Sequence, residues 1–227
     1  MSRTETLLRE RHGLYVSLPR NEVELAEAAL EAGADGLKVH LNVHHHASGT
    51  HFGSWEEEQA VIREILALGA PVGMVPGTRE STITPREARE IEAAGVDFLD
   101  AYIEDMPMMV VETITTLGVM AALSSRDEAS GWSLGPLKGR CALLEASVVH
   151  PDGYGLPPAP HDLIAYRQIA ERYPDLPATV PTQRALRPAE VEGVLATGMR
   201  GILIGAIVTG QTAEGIRRVT EEFRRVV

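Results

Sequence analysis

Residues 34–43 read ADGLKVHLNV, and polar residues alternate with aliphatic ones after the glycine. Successive residues of a β-strand point to opposite faces of the sheet, so Lys38, His40 and Asn42 share one face and the aliphatic side chains share the other. A parallel strand covered on both faces normally reads as a continuous apolar run. Burial of a polar group without a partner costs about 2–7 kcal/mol. The stretch therefore predicts a buried strand whose polar face lines a functional site.

Lysine is rare in this chain. Only Lys38 and Lys138 occur among 21 basic residues, so nearly all other cationic positions carry arginine. A lysine on an inward strand face indicates chemistry that arginine cannot perform, such as pKa tuning, proton transfer or Schiff-base formation. A structural lysine paired with a carboxylate is the alternative.

Short apolar runs alternate with amphipathic helical patterns, which is typical of βα units and a parallel sheet. Capping residues open several helices, as at Ser54 with Glu57 and at Thr84 before Pro85. The pattern over residues 124–137 is only weakly helical. Strands are predicted at residues 13–18, 37–43, 71–76, 96–104, 118–123, 141–149, 178–182 and 201–208.

This order of elements predicts an α/β protein, a single (β/α)8 TIM barrel formed by residues 1–227 as one domain. An open doubly wound sheet is the alternative. That fold is disfavoured because the first strand is not followed by a GXGXXG turn.

Composition excludes several classes of function. The net charge is −11, aromatic residues make up 4%, and no block of basic residues occurs, which disfavours nucleic-acid partners. The apolar runs are too short to span a membrane, and the first residues lack the apolar core of a signal peptide. We expect a soluble, cytoplasmic protein with no membrane partner, and a homodimer is the default expectation.

Active sites of TIM barrels lie at the carboxyl ends of the strands. Strand parity places polar side chains there from several strands, including Tyr102 and Ser147. The set of lysine, histidine and carboxylates is the layout of an acid/base site. A closed ion-pair layer that only fills the barrel is the alternative. The candidate catalytic residues are Lys38, His40, Asn42, Asp100, Glu104 and Glu145.

A second signal lies in residues 205–212, GAIVTGQT, before the last helix. Backbone N–H groups of such a turn can bind an anion, and the loops after strands seven and eight of these barrels often hold a phosphate. Glycines here could also merely permit tight packing of helix on strand. The candidate phosphate- or substrate-binding residues are Gly205, Ala206, Thr209, Gly210, Arg184, Gln183 and Ser17.

Five of the eight histidines fall between positions 40 and 51. No cofactor is predicted, but a divalent metal is an open alternative, with His40, Asp100, Glu104 and Glu145 as the candidate ligands. The consecutive side chains of residues 44–46 diverge, and a loop that covers the site would explain the cluster equally well.

The chain resembles the ribulose-phosphate-binding barrels, and its layout is similar to that of the N-acetylmannosamine-6-phosphate 2-epimerases. The similar stretches are GLYVS (13–17), AGADG (32–36) and GILIGAIVT (201–209). The resemblance implies a phosphosugar held at strands seven and eight and epimerised by a Lys/Glu pair. The family's catalytic lysine and glutamate are not matched, because residues 73–77 read GMVPG and residues 180–184 read VPTQR. The part that carries over is the phosphate end, at Gly205 and Ala206.

The second strand also resembles the HXDV metal strand of ribulose-phosphate 3-epimerases, but Asn42 stands where that family has aspartate. We therefore expect an isomerase- or epimerase-like enzyme that acts on a small phosphorylated substrate, a sugar phosphate, by proton abstraction next to a carbonyl. Lys38 would be the acid/base or electrophile, Glu104 or Glu145 the partner base, and His40 and Asn42 would polarise the carbonyl. A Schiff-base aldolase or lyase that uses Lys38, or a non-catalytic metabolite-binding barrel, are the alternatives.

Overall fold

The computed structural model describes residues 1–125, 134, 137 and 139–227. Eight parallel strands form a closed barrel in the order β1-β8-β7-β6-β5-β4-β3-β2, and β1 pairs with both β2 and β8. The predicted (β/α)8 fold is confirmed. The strands are β1 (Gly13–Ser17), β2 (Gly36–His40), β3 (Val72–Val75), β4 (Phe98–Tyr102), β5 (Gly118–Ser124), β6 (Cys141–Ser147), β7 (Ala178–Pro181) and β8 (Gly201–Ile204).

Nine α-helices have their bounds within the described residues. Most of the stretch 124–137, whose sequence pattern is weakly helical, lies outside the described residues. None of the described helices is long and apolar enough to cross a membrane. The helices are α1 (Arg3–Glu10), α2 (Val23–Glu31), α3 (Trp55–Ala67), α4 (Pro85–Ala94), α5 (Met108–Thr113), α6 (Pro160–Arg172), α7 (Val191–Leu195), α8 (Ala206–Thr209) and α9 (Ala213–Arg224).

Two of these helices begin at the predicted caps. The Thr84 hydroxyl accepts a hydrogen bond from the backbone N–H of Glu87, and the Glu87 carboxylate accepts one from the backbone N–H of Thr84. At the start of α3 the backbone N–H and the hydroxyl of Ser54 both donate to the Glu57 carboxylate. Such capping boxes satisfy backbone donors that the first helical turn leaves free, so these starts are encoded locally.

The strands bury two different faces. Leu37 and Val39 of β2 pack in the outer core between the sheet and the helices. The inward face of the barrel has a separate apolar cluster at its amino end, which contains Leu8, Phe98 and Leu203. The polar residues of β2 therefore face the barrel interior above this apolar layer, as the alternation predicted.

Helix α1 closes the amino end of the barrel and was not predicted. The backbone N–H groups of Arg3 and Thr4 donate to the Asp97 carboxylate over 2.7 and 2.8 Å, which anchors the first turn of the helix. The Leu8 side chain is fully buried in the inner cluster beneath Tyr15. The amino end is thus filled, and open space remains at the carboxyl end of the strands.

Four predicted strands end two or more residues earlier than expected, among them the sixth, which ends at Ser147. β2 ends at His40, β4 ends at Tyr102, and β8 ends at Ile204, where the chain turns into the short helix α8. The predicted continuation of the eighth strand to Val208 is therefore wrong. Beyond the barrel rim a strand loses its hydrogen-bonded neighbours, so the sequence pattern overstates its length. The glycine-rich turn at the end of β8 nevertheless lies on the cavity wall, as described below.

Gly73 of β3 leaves room for an aromatic ring inside the barrel. A Cβ atom at this position would lie 2.0 Å from Cζ of Phe98, whose ring is fully buried. We expect Gly73→Ala to lower the free energy of unfolding by about 1–3 kcal/mol, because the ring must move in a packed core. Urea denaturation measures the change.

Gly193→Ala is the matched control, because that glycine lies in α7 with no heavy atom within 4 Å of the added carbon. Alanine there is expected to be neutral or to stabilise by up to about 1 kcal/mol. Combining Gly73→Ala with Phe98→Leu should recover part of the loss. An unchanged urea midpoint for Gly73→Ala alone would contradict this account.

Candidate active site

A lysine and two carboxylates meet in the middle of the barrel. Lys38 of β2 donates from Nζ to Oδ2 of Asp100 over 2.8 Å and to Oε2 of Glu145 over 2.5 Å. All three side chains are buried. They come from β2, β4 and β6, and side chains of alternate strands share a layer in such barrels. Three separate segments of sequence therefore converge on one ammonium group.

The charges of this layer shift the pKa of each member. Burial by itself would lower the pKa of Lys38, but the facing carboxylates outweigh the lost hydration and raise it. Burial, together with the charge of Glu145, raises the pKa of Asp100 well above its ordinary value. Burial opposes ionisation of Glu145, yet the Lys38 charge and several hydrogen bonds lower its pKa. Lys38 and Glu145 are thus held as ions, and Asp100 is the carboxyl group that takes up a proton most readily.

Asp100 also has an oxygen available for a ligand. Its Oδ1 atom is buried and has no hydrogen-bond partner within the part of the chain that the structure describes. Buried polar atoms are almost always hydrogen-bonded, so an exception inside a cavity needs an explanation. A ligand that donates to or accepts a proton from this oxygen would supply one.

A cavity of about 260 Å³ lies above the layer, at the carboxyl end of the barrel. Its floor is formed by Lys38, Asp100 and Glu145. Ser17, His40 and residues 43–47 line one side, and Tyr102, Ser147 and Tyr154 line another. The remaining wall comes from Gly77 and Thr78 after β3, residues 181–183 after β7, and residues 205–207 after β8.

The histidine-rich segment forms a two-stranded hairpin (His44–His45 and Thr50–His51) at the cavity mouth. The His45 ring lies 4.6 Å from the ring of His40, and Phe52 packs 4.7 Å from His40. His40 Nε2 and Ser17 Oγ lie 3.3 Å apart. The hairpin places apolar ring surface beside the polar floor, which fits the predicted loop that covers the site.

These two imidazoles are neutral at pH 7. Burial, reinforced by the charges of His45 and Lys38, lowers the pKa of His40 well below its ordinary value. Burial and the Lys38 charge lower the pKa of His45 to about 4. The histidines can therefore accept or donate hydrogen bonds to a ligand, but they add no positive charge to the cavity.

The depressed pKa of His45 predicts a loss of stability in mild acid. The unfolded chain binds a proton near pH 6.5 and the folded chain only near pH 4, so stability is complete above pH 6.5 and falls progressively toward pH 4. We expect His45→Gln to lose less thermal stability than wild type between pH 6.5 and 4.5. His51→Gln, at an exposed position of the same hairpin, is the control. Parallel pH profiles for His45→Gln and wild type would refute the assignment.

Two predicted catalytic residues, Asn42 and Glu104, do not line the cavity. Asn42 follows the end of β2 with a left-handed φ of 54°, and its side chain donates to the carbonyl of Pro76 over 3.1 Å. Glu104 follows β4 in a turn and does not belong to the cavity lining. The alternation of faces holds only while the strand lasts, which explains both positions.

Of the predicted phosphate-binding residues, some line the cavity and others do not. Gly205, Ala206, Gln183 and Ser17 line the cavity. Arg184 instead makes two 3.0 Å hydrogen bonds to the buried Asp162 carboxylate.

The remaining two phosphate candidates lie past the cavity wall. The Thr209 hydroxyl donates to the carbonyl of Gly210 over 2.9 Å, and neither residue lines the cavity. The anion-binding candidates that line the cavity are therefore the turn at Gly205 and Ala206, together with Gln183 and Ser17.

Tyr154 and Thr182 also line the cavity and were not predicted. Tyr154 belongs to a loop rich in glycine and proline, where no periodicity indicates which side chains turn inward. Among the described residues, no group of three or more His, Cys, Asp or Glu side chains is arranged to hold a metal ion.

No family model and no curated protein matches the sequence. Solved structures match across nearly the whole chain. Thiamine phosphate pyrophosphorylase from Pyrococcus furiosus is 20% identical over 96% of both chains, with a TM-score of 0.64. A 3-hexulose-6-phosphate synthase is 15% identical over 95% of this chain and 99% of the other, with a TM-score of 0.67. Phosphoribosyl anthranilate isomerase from Thermotoga maritima is 13% identical over 94% and 99%, also with 0.67. At these identities the likeness shows the barrel fold, and it does not single out the epimerases.

Proposed function

We propose that this protein is an enzyme that transfers a proton next to a carbonyl group in a small phosphorylated metabolite. The observation that carries the proposal is the buried Lys38–Asp100–Glu145 layer at the floor of the cavity, in which Asp100 Oδ1 accepts from no donor in the described part of the chain. The similar structures include enzymes of phosphorylated compounds, and this supports the same substrate class.

Each of the three residues in the layer has a separate role in this reaction. Proton removal next to a carbonyl places negative charge on the carbonyl oxygen, and a fixed ammonium group stabilises that charge in a cavity of low dielectric. Lys38 supplies this group. A general acid/base needs a pKa close to the working pH, and burial raises the pKa of Asp100 toward that range. Asp100 is therefore the proton carrier, and Glu145 holds the lysine in place.

Neutral groups would hold the phosphoryl end. The turn of Gly205 and Ala206 lines the wall where barrels of this kind often bind phosphate. Its backbone N–H at Gly205 donates to Oγ1 of Thr182 over 2.9 Å, which leaves the Thr182 hydroxyl proton available to an anion. The Ser17 hydroxyl lies on the same wall.

The charge balance favours a second candidate, a barrel that binds an uncharged metabolite. Among the described residues that line the cavity, Lys38 is the one lysine or arginine. Asp100, Asp105 and Glu145 line it as well, so the lining is acidic at neutral pH. An anionic ligand must overcome this charge through hydrogen bonds alone, whereas an uncharged ligand need not.

A Schiff-base mechanism through Lys38 receives no support from the geometry. A nucleophilic lysine must lose its proton, and desolvation or a neighbouring cation normally promotes that loss. Lys38 instead faces two carboxylates at 2.8 and 2.5 Å, which hold the proton on the amine.

Thermal shift followed by isotope exchange tests the proposal. Inorganic phosphate, sugar phosphates and the matching unphosphorylated sugars are compared, since a ligand at 100 times its Kd stabilises the fold by about 2.7 kcal/mol. The best phosphorylated ligand is then incubated in D2O, and NMR follows exchange at the carbon next to the carbonyl. We expect exchange with wild type, at least about 100-fold slower exchange with Asp100→Asn, and no change with the exposed control Asp152→Asn.

The other outcomes are equally informative. Stabilisation by unphosphorylated compounds alone, without exchange, would replace the proposal by the binding barrel. A borohydride-trapped adduct on Lys38 would replace it by an aldolase or lyase. Undiminished exchange in Asp100→Asn would remove Asp100 from the mechanism.

A further inference from the structure

A row of polar side chains on the cavity wall leads from Gln183 to the carboxylate of Glu145. Gln183 donates from Nε2 to the Tyr154 hydroxyl over 2.6 Å. The Tyr154 and Tyr102 hydroxyls face each other, and Tyr102 also faces Ser147. Ser147 Oγ donates to Oε1 of Glu145 over 2.5 Å. The row thus joins β4, β6 and the loops after β6 and β7.

The direction of every bond follows from the two ends. An ionised carboxylate can only accept, so the single Ser147 proton must point to Glu145. Any hydrogen bond between Tyr102 and Ser147 is then accepted by Ser147, and any hydrogen bond between the two tyrosines is donated by Tyr154. At the far end, Gln183 Oε1 accepts from the backbone N–H of Val149 over 3.1 Å, which fixes the amide so that its NH2 group faces Tyr154. Both ends therefore require the same direction.

Glu145 is saturated by this arrangement and Asp100 is not. Oε1 of Glu145 accepts from Ser147 and Oε2 accepts from Lys38, so both oxygens have short bonds to donors. Asp100 shares the lysine through Oδ2 and also faces the Glu145 carboxyl group, and its Oδ1 accepts from no donor among the described residues. The two carboxyl groups face the same ammonium, but only Glu145 is supplied with a second donor.

We propose that Gln183, Tyr154, Tyr102 and Ser147 are positioning residues that fix Glu145 as the permanent carboxylate of the site and leave Asp100 as the carboxyl group that exchanges a proton with the ligand. The catalytic meaning of this assignment rests on the function proposed above. The assignment of protonation states stands on the hydrogen bonds and can be tested without any substrate.

Other titratable groups face Glu145 and belong to the same balance. Lys38 and Asp100 adjoin it in the floor, His45 faces it from the hairpin, and Tyr102 and Tyr154 face it from the opposite wall. His45 is neutral above pH 5, and burial raises the pKa of both tyrosines. Between pH 5 and 8 the protonation change in this group is therefore confined to the two carboxyl groups.

Carboxyl 13C NMR of protein labelled at aspartate and glutamate tests the assignment, with Asp100→Asn and Glu145→Gln to identify the signals. In wild type we expect Glu145 to stay ionised across pH 5–8 and Asp100 to titrate above ordinary aspartates. Ser147→Ala should raise the titration midpoint of Glu145 by about one pH unit or more, because its second donor is lost. Tyr102→Phe should act in the same direction and less strongly.

Two controls separate this role from general packing. Ser147→Thr retains the hydroxyl and should restore the wild-type titration. Tyr166→Phe removes the hydroxyl of another buried tyrosine, in α6 outside the cavity lining, and should leave both carboxyl groups unchanged. A Glu145 titration that is unaltered in folded Ser147→Ala, or titration of Glu145 rather than Asp100 in wild type, would overturn the proposal. Absence of isotope exchange would instead count against the proposed function alone.

Discussion

Lys38→Met is expected to lower the free energy of unfolding by about 3–5 kcal/mol at pH 7.5, the usual effect of removing one partner from a buried ion pair. The substitution keeps the length of the side chain and removes its charge. Asp100 and Glu145 would then remain buried together with no cation between them. Because two carboxylates share the one ammonium at 2.8 and 2.5 Å, the loss should lie toward the upper end of this range.

The loss of unfolding free energy in Lys38→Met should depend on pH, and the direction of this dependence can be derived. Without Lys38 the pKa values of both carboxyl groups rise in the folded protein, while in the unfolded chain they stay near 4. The folded variant then binds more protons than the unfolded chain, so its stability decreases as pH rises from about 4 to the raised pKa values. The deficit relative to wild type should therefore be small near pH 4.5 and complete near pH 8. Chemical denaturation at several pH values measures it.

Two further variants test the cause. Lys38→Met combined with Asp100→Asn removes one of the two carboxylates and should recover much of the lost stability. Arg86→Met breaks an exposed ion pair with Glu90 on α4 and should change little at any pH. A deficit that is independent of pH would show that Lys38 contributes through packing and not through charge.

Leu8→Ala is expected to lower the free energy of unfolding by about 2–5 kcal/mol, as is usual when a buried leucine is truncated in a packed core. Leu8 is fully buried and forms the lower end of the inner cluster with Tyr15, Phe98 and Leu203. The barrel strands surround this site, so the cavity left by the missing atoms cannot easily collapse. Urea denaturation compared with wild type measures the effect.

Leu156→Ala is the matched control, because that leucine is 53% exposed in the loop after β6. A change within about 0.5 kcal/mol is expected there. If Leu8→Ala were equally mild, helix α1 would rest on the barrel without closing it. The predicted cost therefore measures how much this helix contributes to the fold.

Much of the fold is determined by local sequence. The alternation around Lys38 and His40 placed their side chains inside the barrel, because a period of two is fixed by strand geometry alone. The caps at Ser54 and Thr84 are satisfied within one helical turn, so they too are readable from the chain. The glycine-rich turn after β8 was also recognisable from the sequence, and Gly205 of this turn lies on the cavity wall.

The composition of the site depended on tertiary structure. The sequence predicts Glu104 or Glu145 as the partner base for Lys38 and indicates Asp100 only as a further catalytic candidate. Which carboxylates meet Lys38 depends on where each strand ends and on the register of the closed barrel. Asn42 lies outside the site because β2 ends at His40 and the backbone turns at Asn42, whose φ is 54°. Such endings are properties of the assembled sheet.

Nothing in residues 3–10 showed that Leu8 would close the barrel, and nothing in the loop around Tyr154 showed that its side chain would line the cavity. The sequence alone determined which strand faces are polar and where the helices begin, since these depend on neighbours within a few residues. Only the tertiary structure decided which side chains meet at Lys38, because those contacts join residues 62 and 107 positions apart.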